Sequence, residues 1–400
     1  MKKPGVLVMT TYYHPIIGGV ETHARQLVRH LNRRGFSVQV VTKRIHPNDP
    51  AEDRLDDIRV RRVGPAGERR AGGKWMAIPS FFSQAIALAD DVDAIVCVDY
   101  RGIGIAAVLA GRRIRRPVIL QAATAGVLAS AAEHDASGVP AESALVRLIK
   151  APARAVYRRA DEYVCIGRDI ERETLNAGIP RERVHYVPHG VDLQRFRPAT
   201  ADERSQIRQA EGWPSDRSIV LFVGRLSTEK GVLDLLDAWR MLDDRRAWLV
   251  LVGPDMPAHP WDAGAKARAF IEAHQLQDRV RLYGPSTDTA RLYRAADVFV
   301  QPSHFESFGI SVIEAMASGV PVIASKVGGM RDFLADGENA LLHEPRSAAA
   351  VAAALRRALD DAGLRSRLAA AARRTVQQQF DDEALFDRYA ALIESGVRSH

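Results

Sequence analysis

The 400 residues carry 56 Lys and Arg against 49 Asp and Glu, a formal charge of +7, with 46% hydrophobic side chains and two cysteines. That length is too great for one ordinary core and predicts two domains, while the absence of any apolar run of about 18 residues excludes a membrane-spanning helix. Cys97 and Cys165 each sit inside an apolar run, which excludes a disulfide scaffold and favours a reducing cytoplasm.

In chain order, Met1-Lys2-Lys3-Pro4 runs straight into a short strand, too short for the core of a signal peptide with its cleavage site. Strand-like apolar runs follow at 6–9, 38–42, 58–63, 94–98, 118–121, 163–166 and 184–187. Helical patterns separate them, the arrangement that gives a parallel sheet with crossover helices. Pro198, Pro214 and a polar helical segment break the pattern over 192–214. It resumes with strands at 219–223, 248–252, 280–283, 298–301, 322–324 and 340–342, and ends in Ala- and Arg-rich helix over 347–400. Each set reads as one doubly wound α/β sheet, giving domains 1–191 and 192–380.

The charge is uneven. Residues 1–190 hold 29 basic and 20 acidic side chains, a net +9, and the remainder is −2. The first half therefore favours an acidic partner. No interleaving of aromatic and basic residues marks a nucleic-acid surface, so an anionic membrane surface or a phosphate-bearing acceptor fits better. Arg147, Lys150, Arg154 and Arg158 recur at helical spacing, with Leu145, Leu148, Ile149 and Val156 on the rest of the helix. Such a helix can lie on anionic lipid, an expectation that Arg112, Arg113, Arg115 and Arg116 strengthen. It can equally be a packed helix with a solvated face, broken by Pro152.

Two strand-to-helix junctions in the second half carry the chemistry. The first, Gly224-Arg225-Leu226-Ser227-Thr228-Glu229-Lys230-Gly231, sets two cations beside a helix start, where they can meet the two phosphates of a nucleoside diphosphate. The second runs from Phe305 to Pro321 and places Glu306 in a loop and Glu314 about a turn into a helix that begins near Gly309. Its backbone N–H groups at Phe308, Gly309 and Ile310 suit a diphosphate. Glu314 can then accept from ribose hydroxyls, and Glu306 can face a sugar. Taken singly, these residues are also explained as solvated cations and an acidic cap; their occurrence together is not. In the first half, Gly18-Gly19 follows strand one, and the N–H of Gly19 can reach a phosphate. The spacing is not the Gly-x-Gly-x-x-Gly fingerprint, which speaks against a dinucleotide enzyme. Asp91-Val92-Asp93 spells a metal-binding triplet but sits between a helix end and a strand, where aspartates read as turn residues.

On Gly18-Gly19-Val20-Glu21, Val187-Pro188-His189-Gly190-Val191-Asp192, Gly224-Arg225 with Lys230, the Glu306–Glu314 pair and Gly328-Gly329, the chain resembles the retaining glycosyltransferases of the GT-B fold, family 4. His189 stands where that family usually has Asn. The resemblance implies two facing Rossmann-like domains with a cleft between them, and a final helix, about 381–400, crossing back onto the first. It implies a donor site of Gly19, Arg225, Lys230, Glu306, Phe308, Gly309, Ile310 and Glu314, with Glu306, Arg225 and Lys230 catalytic and with neither metal nor other cofactor. The reaction would move a sugar, with retention, from a nucleotide diphosphate sugar to a glycan or lipid-linked glycan, UDP before GDP. The setting would be polysaccharide biosynthesis in the cytoplasm or at the inner face of the membrane. Many relatives carry a His after the strand ending near Leu120, where this chain reads Gln121-Ala122-Ala123-Thr124. Either this subgroup manages without it, or Asp99 or His134 occupies its space; Gln121 and Thr124 could still bind a sugar hydroxyl. A phosphorylase, which would require inorganic phosphate, or an epimerase, which would change its donor with no acceptor present, is the competing enzyme. A non-catalytic nucleotide-sugar binder, releasing no nucleoside diphosphate, is the competing class.

Overall fold

Strand β1 (Gly5–Thr10) is buried along its whole length, as its unbroken apolar run requires of a strand covered on both faces. The computed structural model describes residues 3–16, 18–67, 73–128, 143–257 and 259–399. They form two compact units, one of the described residues through His189 together with 383–399, the other Gly190–Asp382.

The first unit holds β1, β2 (Ser37–Lys43), β3 (Glu52–Leu55), β4 (Ile58–Val63), β5 (Ala94–Val98), β6 (Val118–Ala122), β7 (Glu162–Cys165) and β8 (Val184–Tyr186) in the order β3-β4-β2-β1-β5-β6-β7-β8. All pairs are parallel except β3 with β4. Strand β3 has no counterpart in the sequence reading, because Glu-Asp-Arg-Leu offers no apolar alternation. Asp56 and Asp57, both at positive φ, turn it into a hairpin with β4. One face of the sheet packs Val6, Val8 and Val96 against Leu27 and Leu31 of helix Gly19–Arg33 and against Phe386, Tyr389 and Ile393 of the final helix, Asp382–Ser399.

The second unit is a fully parallel sheet of β9 (Ser218–Val223), β10 (Ala247–Val252), β11 (Val280–Gly284), β12 (Val298–Gln301), β13 (Val322–Ser325) and β14 (Leu341–His343), in the order β11-β10-β9-β12-β13-β14. Helix Val232–Leu242 buries Val232, Leu235, Leu236, Trp239 and Leu242, the 3.6-residue stripe its sequence spells. Each such side chain contributes about 1.5–3 kcal/mol of burial. At the edge of this unit Gly190 has no room for a side chain, since a Cβ would lie 2.4 Å from Asp382 Cα.

In open sheets of this kind ligands sit beyond the carboxyl ends of the strands where the winding reverses. That crevice lies between β1 and β5 in the first unit and between β9 and β12 in the second. No described helix is long and apolar enough to cross a membrane.

Candidate functional site

The two chemistry-bearing junctions of the sequence are the loops that leave β9 and β12, so both open onto the reversal crevice of the second unit. The β9 loop passes through the 3-10 turn Thr228–Lys230 into helix Val232–Leu242, and the β12 loop enters helix Ile310–Ala317 through Gly309 at φ +104. Their backbones nearly touch. A Cβ on Gly231 would lie 2.0 Å from Pro302 O; a third segment, the turn after β13, closes on the β12 loop as tightly, a Cβ on Gly328 lying 1.7 Å from Glu306 O. Gly329 N donates to Glu306 O at 3.2 Å, so the Gly328-Gly329 turn fixes the backbone of Glu306.

This contact brings Lys230 and Glu306, 76 residues apart, into one ion pair. Lys230 Nζ donates to Glu306 Oε2 at 2.6 Å, with side chains 16% and 13% exposed. Charges so poorly solvated persist because each is the other's counter-ion. Arg225 does not join them; it pairs with Glu229, one turn along its own loop, and stays half-exposed. Phe308 turns its ring into the core against Phe333 and Phe380, leaving only its backbone to face a ligand. The N–H groups of Gly309, Ile310 and Ser311 make no hydrogen bond with a described residue, as expected of a helix start.

Glu314 lies half-buried on the same helix. Burial pushes its carboxyl up to about 7, opposed by a hydrogen bond from Tyr293 and by the charge of Arg195. Tyr293 OH is 3.1 Å from Glu314 Oε2 and 3.0 Å from Ser311 O. Tyr293 escapes sequence reading because a lone Tyr on an apolar helix signals core packing. Two further contacts escape it too. Ser311 Oγ donates to Gln301 Oε1 at 3.1 Å, while Gln301 Nε2 donates to Ser303 Oγ at 2.8 Å, stapling the end of β12 to the helix start. His304 Nε2 lies 2.6 Å from Asp234 Oδ2, and His304 N donates to Glu229 O at 2.8 Å, tying the two loops together.

In the first unit, Gly19 opens its helix as expected, but Glu21 lies over that helix start: a Cβ on Gly18 would be 2.3 Å from Glu21 Oε2. Asp99 leaves β5 at φ +49, on the reversal crevice, and pairs with Arg101 at 3.0 Å. Gln121 is 1% exposed. Tyr389 OH donates to its Oε1 at 2.9 Å, and its Nε2 is 2.9 Å from Nε2 of His23, whose imidazole burial holds neutral by lowering it to about 4. The amide of Gln121 is thus engaged inside the first unit. Thr124 Oγ1 is buried and has no hydrogen-bond partner among the described residues. Asp99, Gln121 and Thr124 make no hydrogen bond with one another, and His134 lies outside the described residues. Asp93 of the Asp-x-Asp triplet caps β1, accepting from Gly5 N at 2.8 Å. No group of three or more metal-ligating side chains occurs among the described residues. One expectation is corrected: Arg147, Lys150, Arg154 and Arg158, on helix Ala144–Tyr157 and its C-terminal cap, do not form one solvated face, because Arg154 is buried and donates from Nε to Val127 O at 3.2 Å. The core side of that helix is the side on which Arg154 falls.

Residues 203–375 match the family model described as glycosyl transferases group 1, and residues 18–190 match the one described as a glycosyl transferase 4-like domain. The chain is 32% identical to a D-inositol 3-phosphate glycosyltransferase of Xylanimonas cellulosilytica, over 97% of this chain and 96% of that one. Among solved structures it is similar to a sucrose-phosphate synthase of Thermosynechococcus elongatus, with TM-score 0.81, 26% identity and coverage of 99% and 100%. It also shares its fold with HepE of Anabaena, solved in complex with UDP and glucose, with TM-score 0.79, 20% identity and coverage of 98% and 100%.

Proposed function

That this chain belongs to the glycosyl transferases group 1 family, enzymes of the GT-B fold, is the premise from which we propose that it transfers a sugar, with retention, from a nucleotide diphosphate sugar to a hydroxyl of a glycan or lipid-linked glycan. The observation that carries the donor side is the Lys230–Glu306 pair at the reversal crevice, beside the N–H groups of Gly309–Ser311. When the bond between the anomeric carbon and the β-phosphate oxygen breaks, negative charge develops on the leaving diphosphate. Lys230, Arg225 and these N–H groups are the donors that meet it, and no metal is needed for that role. Glu306, released from full neutralisation as Lys230 turns to phosphate, holds donor-sugar hydroxyls. Glu314 accepts from the ribose. The acceptor oxygen bonds the anomeric carbon on the face the leaving group vacates, and its proton passes to the departing phosphate. UDP-sugars are the first donors to try, since HepE binds UDP on the same fold.

A second reading of the acceptor is favoured by the name of the Xylanimonas relative: a small phosphorylated cyclitol, which the +9 charge of residues 1–190 would also attract.

The test is thermal stabilisation by UDP-, GDP- and ADP-sugars in EDTA, followed by turnover of wild type and Lys230→Ala. A donor at about 100 times its dissociation constant adds about 2.7 kcal/mol of stability. We expect one nucleotide family to stabilise the protein in EDTA, and Lys230→Ala to fold with a lowered melting point, because Glu306 loses its counter-ion, and to lose turnover in the folded protein by at least about a hundredfold. Near-normal turnover in that variant would sink the donor-site assignment.

A further inference from the structure

Two side-chain links join the loop leaving β9 to the loop leaving β12, and a bound donor would act on them differently. One is the Lys230–Glu306 pair. On the proposed mechanism Lys230 turns to phosphate, so this link opens in every turnover. The other joins His304 to Asp234, Nε2 to Oδ2 at 2.6 Å, four residues beyond Lys230 and two before Glu306. A carboxylate only accepts, so the ring nitrogen facing it carries the proton and the imidazole is held in one orientation. His304 N donates to Glu229 O at 2.8 Å, which fixes the main chain beside the ring. The two side chains are 21% and 29% exposed, too buried for an ordinary surface ion pair. An acidic residue in the first turn of a helix is common, and the helix dipole would explain Asp234 alone. It does not explain a histidine brought to it from the loop of another strand. Among the described residues neither His304 nor Asp234 bonds to Lys230 or Glu306, so any effect on that pair passes through the backbone.

We propose that Asp234 and His304 are positioning residues for sugar transfer, holding the β12 loop in register with the β9 loop so that Glu306 stays at the donor sugar after Lys230 has left it. The proposal rests on the donor-site reading. Contact between Gly231 and Pro302 O stops the two loops from closing further, and the dyad stops them from parting. The bond from Gly329 N to Glu306 O ties Glu306 to the turn after β13, so it does not set the separation from Lys230. The consequence is selective. A nucleoside diphosphate is met by Lys230, whose chain is long and mobile, and by the N–H groups of Gly309–Ser311, which the bonds of Gln301 to Ser303 and Ser311 anchor separately. The sugar contact depends on Glu306, a shorter side chain that follows its loop. Loss of the dyad therefore weakens the hold on the sugar and slows transfer while the diphosphate still binds.

The probes are UDP, GDP and ADP and their glucose esters, bound in EDTA to wild type, His304→Ala, His304→Gln, Asp234→Ala and Lys230→Ala. Release of nucleoside diphosphate is read in the same samples. Gln sets an amide N–H near the place of the ring Nε2–H and serves as the conservative variant. In His304→Ala and Asp234→Ala the nucleoside diphosphate should bind within about twofold of wild type, which also shows that the variants fold. The sugar ester should bind about fivefold or more weakly and its release slow by about tenfold or more. His304→Gln should recover most of that loss. Hydrogen exchange over residues 303–309 of the ligand-free protein should quicken in the two alanine variants and not in His304→Gln. Wild-type release from both alanine variants, an equal loss of diphosphate and sugar ester, or a His304→Gln no better than His304→Ala would overturn the proposal. Near-normal release from Lys230→Ala, or binding of none of the probes by wild type, would instead remove the donor-site reading and this proposal with it.

Discussion

Replacing Glu314 by Gln should stabilise the protein while weakening its donor site. Burial raises the carboxyl from its ordinary 4.5 to about 7. The folded protein therefore holds a proton there that the unfolded chain gives up. The carboxylate costs nothing below pH about 4.5, where both states are protonated, and its cost grows as pH rises, reaching its full value above pH about 7. At about 1.4 kcal/mol per tenfold change in proton affinity, the full cost is about 3 kcal/mol. Because Glu314 is only half-buried, solvent screens part of that, and about 1–2 kcal/mol is the expected gain. Gln keeps an oxygen for Tyr293 OH and removes the charge. Urea unfolding of wild type and Glu314→Gln from pH 4.5 to 8.5 measures the difference. It should be near zero at the acid end and grow through neutrality, while the dissociation constant for a nucleotide sugar rises at pH 8. A stability difference that does not change with pH would refute the argument that burial loads this carboxylate.

Two further outcomes follow from the same site. Tyr293→Phe removes the hydrogen bond that lowers Glu314, so the ionised form appears only at higher pH; the acid limb of kcat/KM for the donor should move up by about one pH unit, which a purely structural loss would not produce. Gly328→Ala forces a Cβ against Glu306 O at φ +48, which should cost about 3 kcal/mol in chemical denaturation and, by displacing Glu306, reduce turnover in the surviving folded fraction.

The sequence was legible where one residue type has one physical use. Runs such as Ile219–Val223 can only be buried strands in an alternating α/β chain, and each apolar run read as a strand does form one. The loops around Lys230 and Glu306 were legible because glycines next to charges at strand ends have few structural purposes; Gly231 proves to be the point where the two loops meet, and Gly328, in the turn after β13, packs on the backbone of Glu306. Strand β3 was illegible because Glu52–Leu55 is held by main-chain pairing and an Asp-Asp turn, neither of which leaves an apolar period. Tyr293 was illegible for the opposite reason: its ring obeys the core pattern perfectly, and its function as a hydrogen-bond donor depends on Glu314, 21 residues later. The basic helix shows the same limit on a larger scale. Spacing alone places Arg147, Lys150, Arg154 and Arg158 on one side of helix Ala144–Tyr157 and its C-terminal cap, but spacing does not say which side meets the core. Residue volume would have favoured Leu145, Leu148 and Ile149 as the buried stripe, yet the fold buries Ala153 and Tyr157 and satisfies Arg154 with a backbone carbonyl. A helix so oriented leaves Leu145, Leu148 and Ile149 exposed, so residue volume and periodicity together still misassign its buried side.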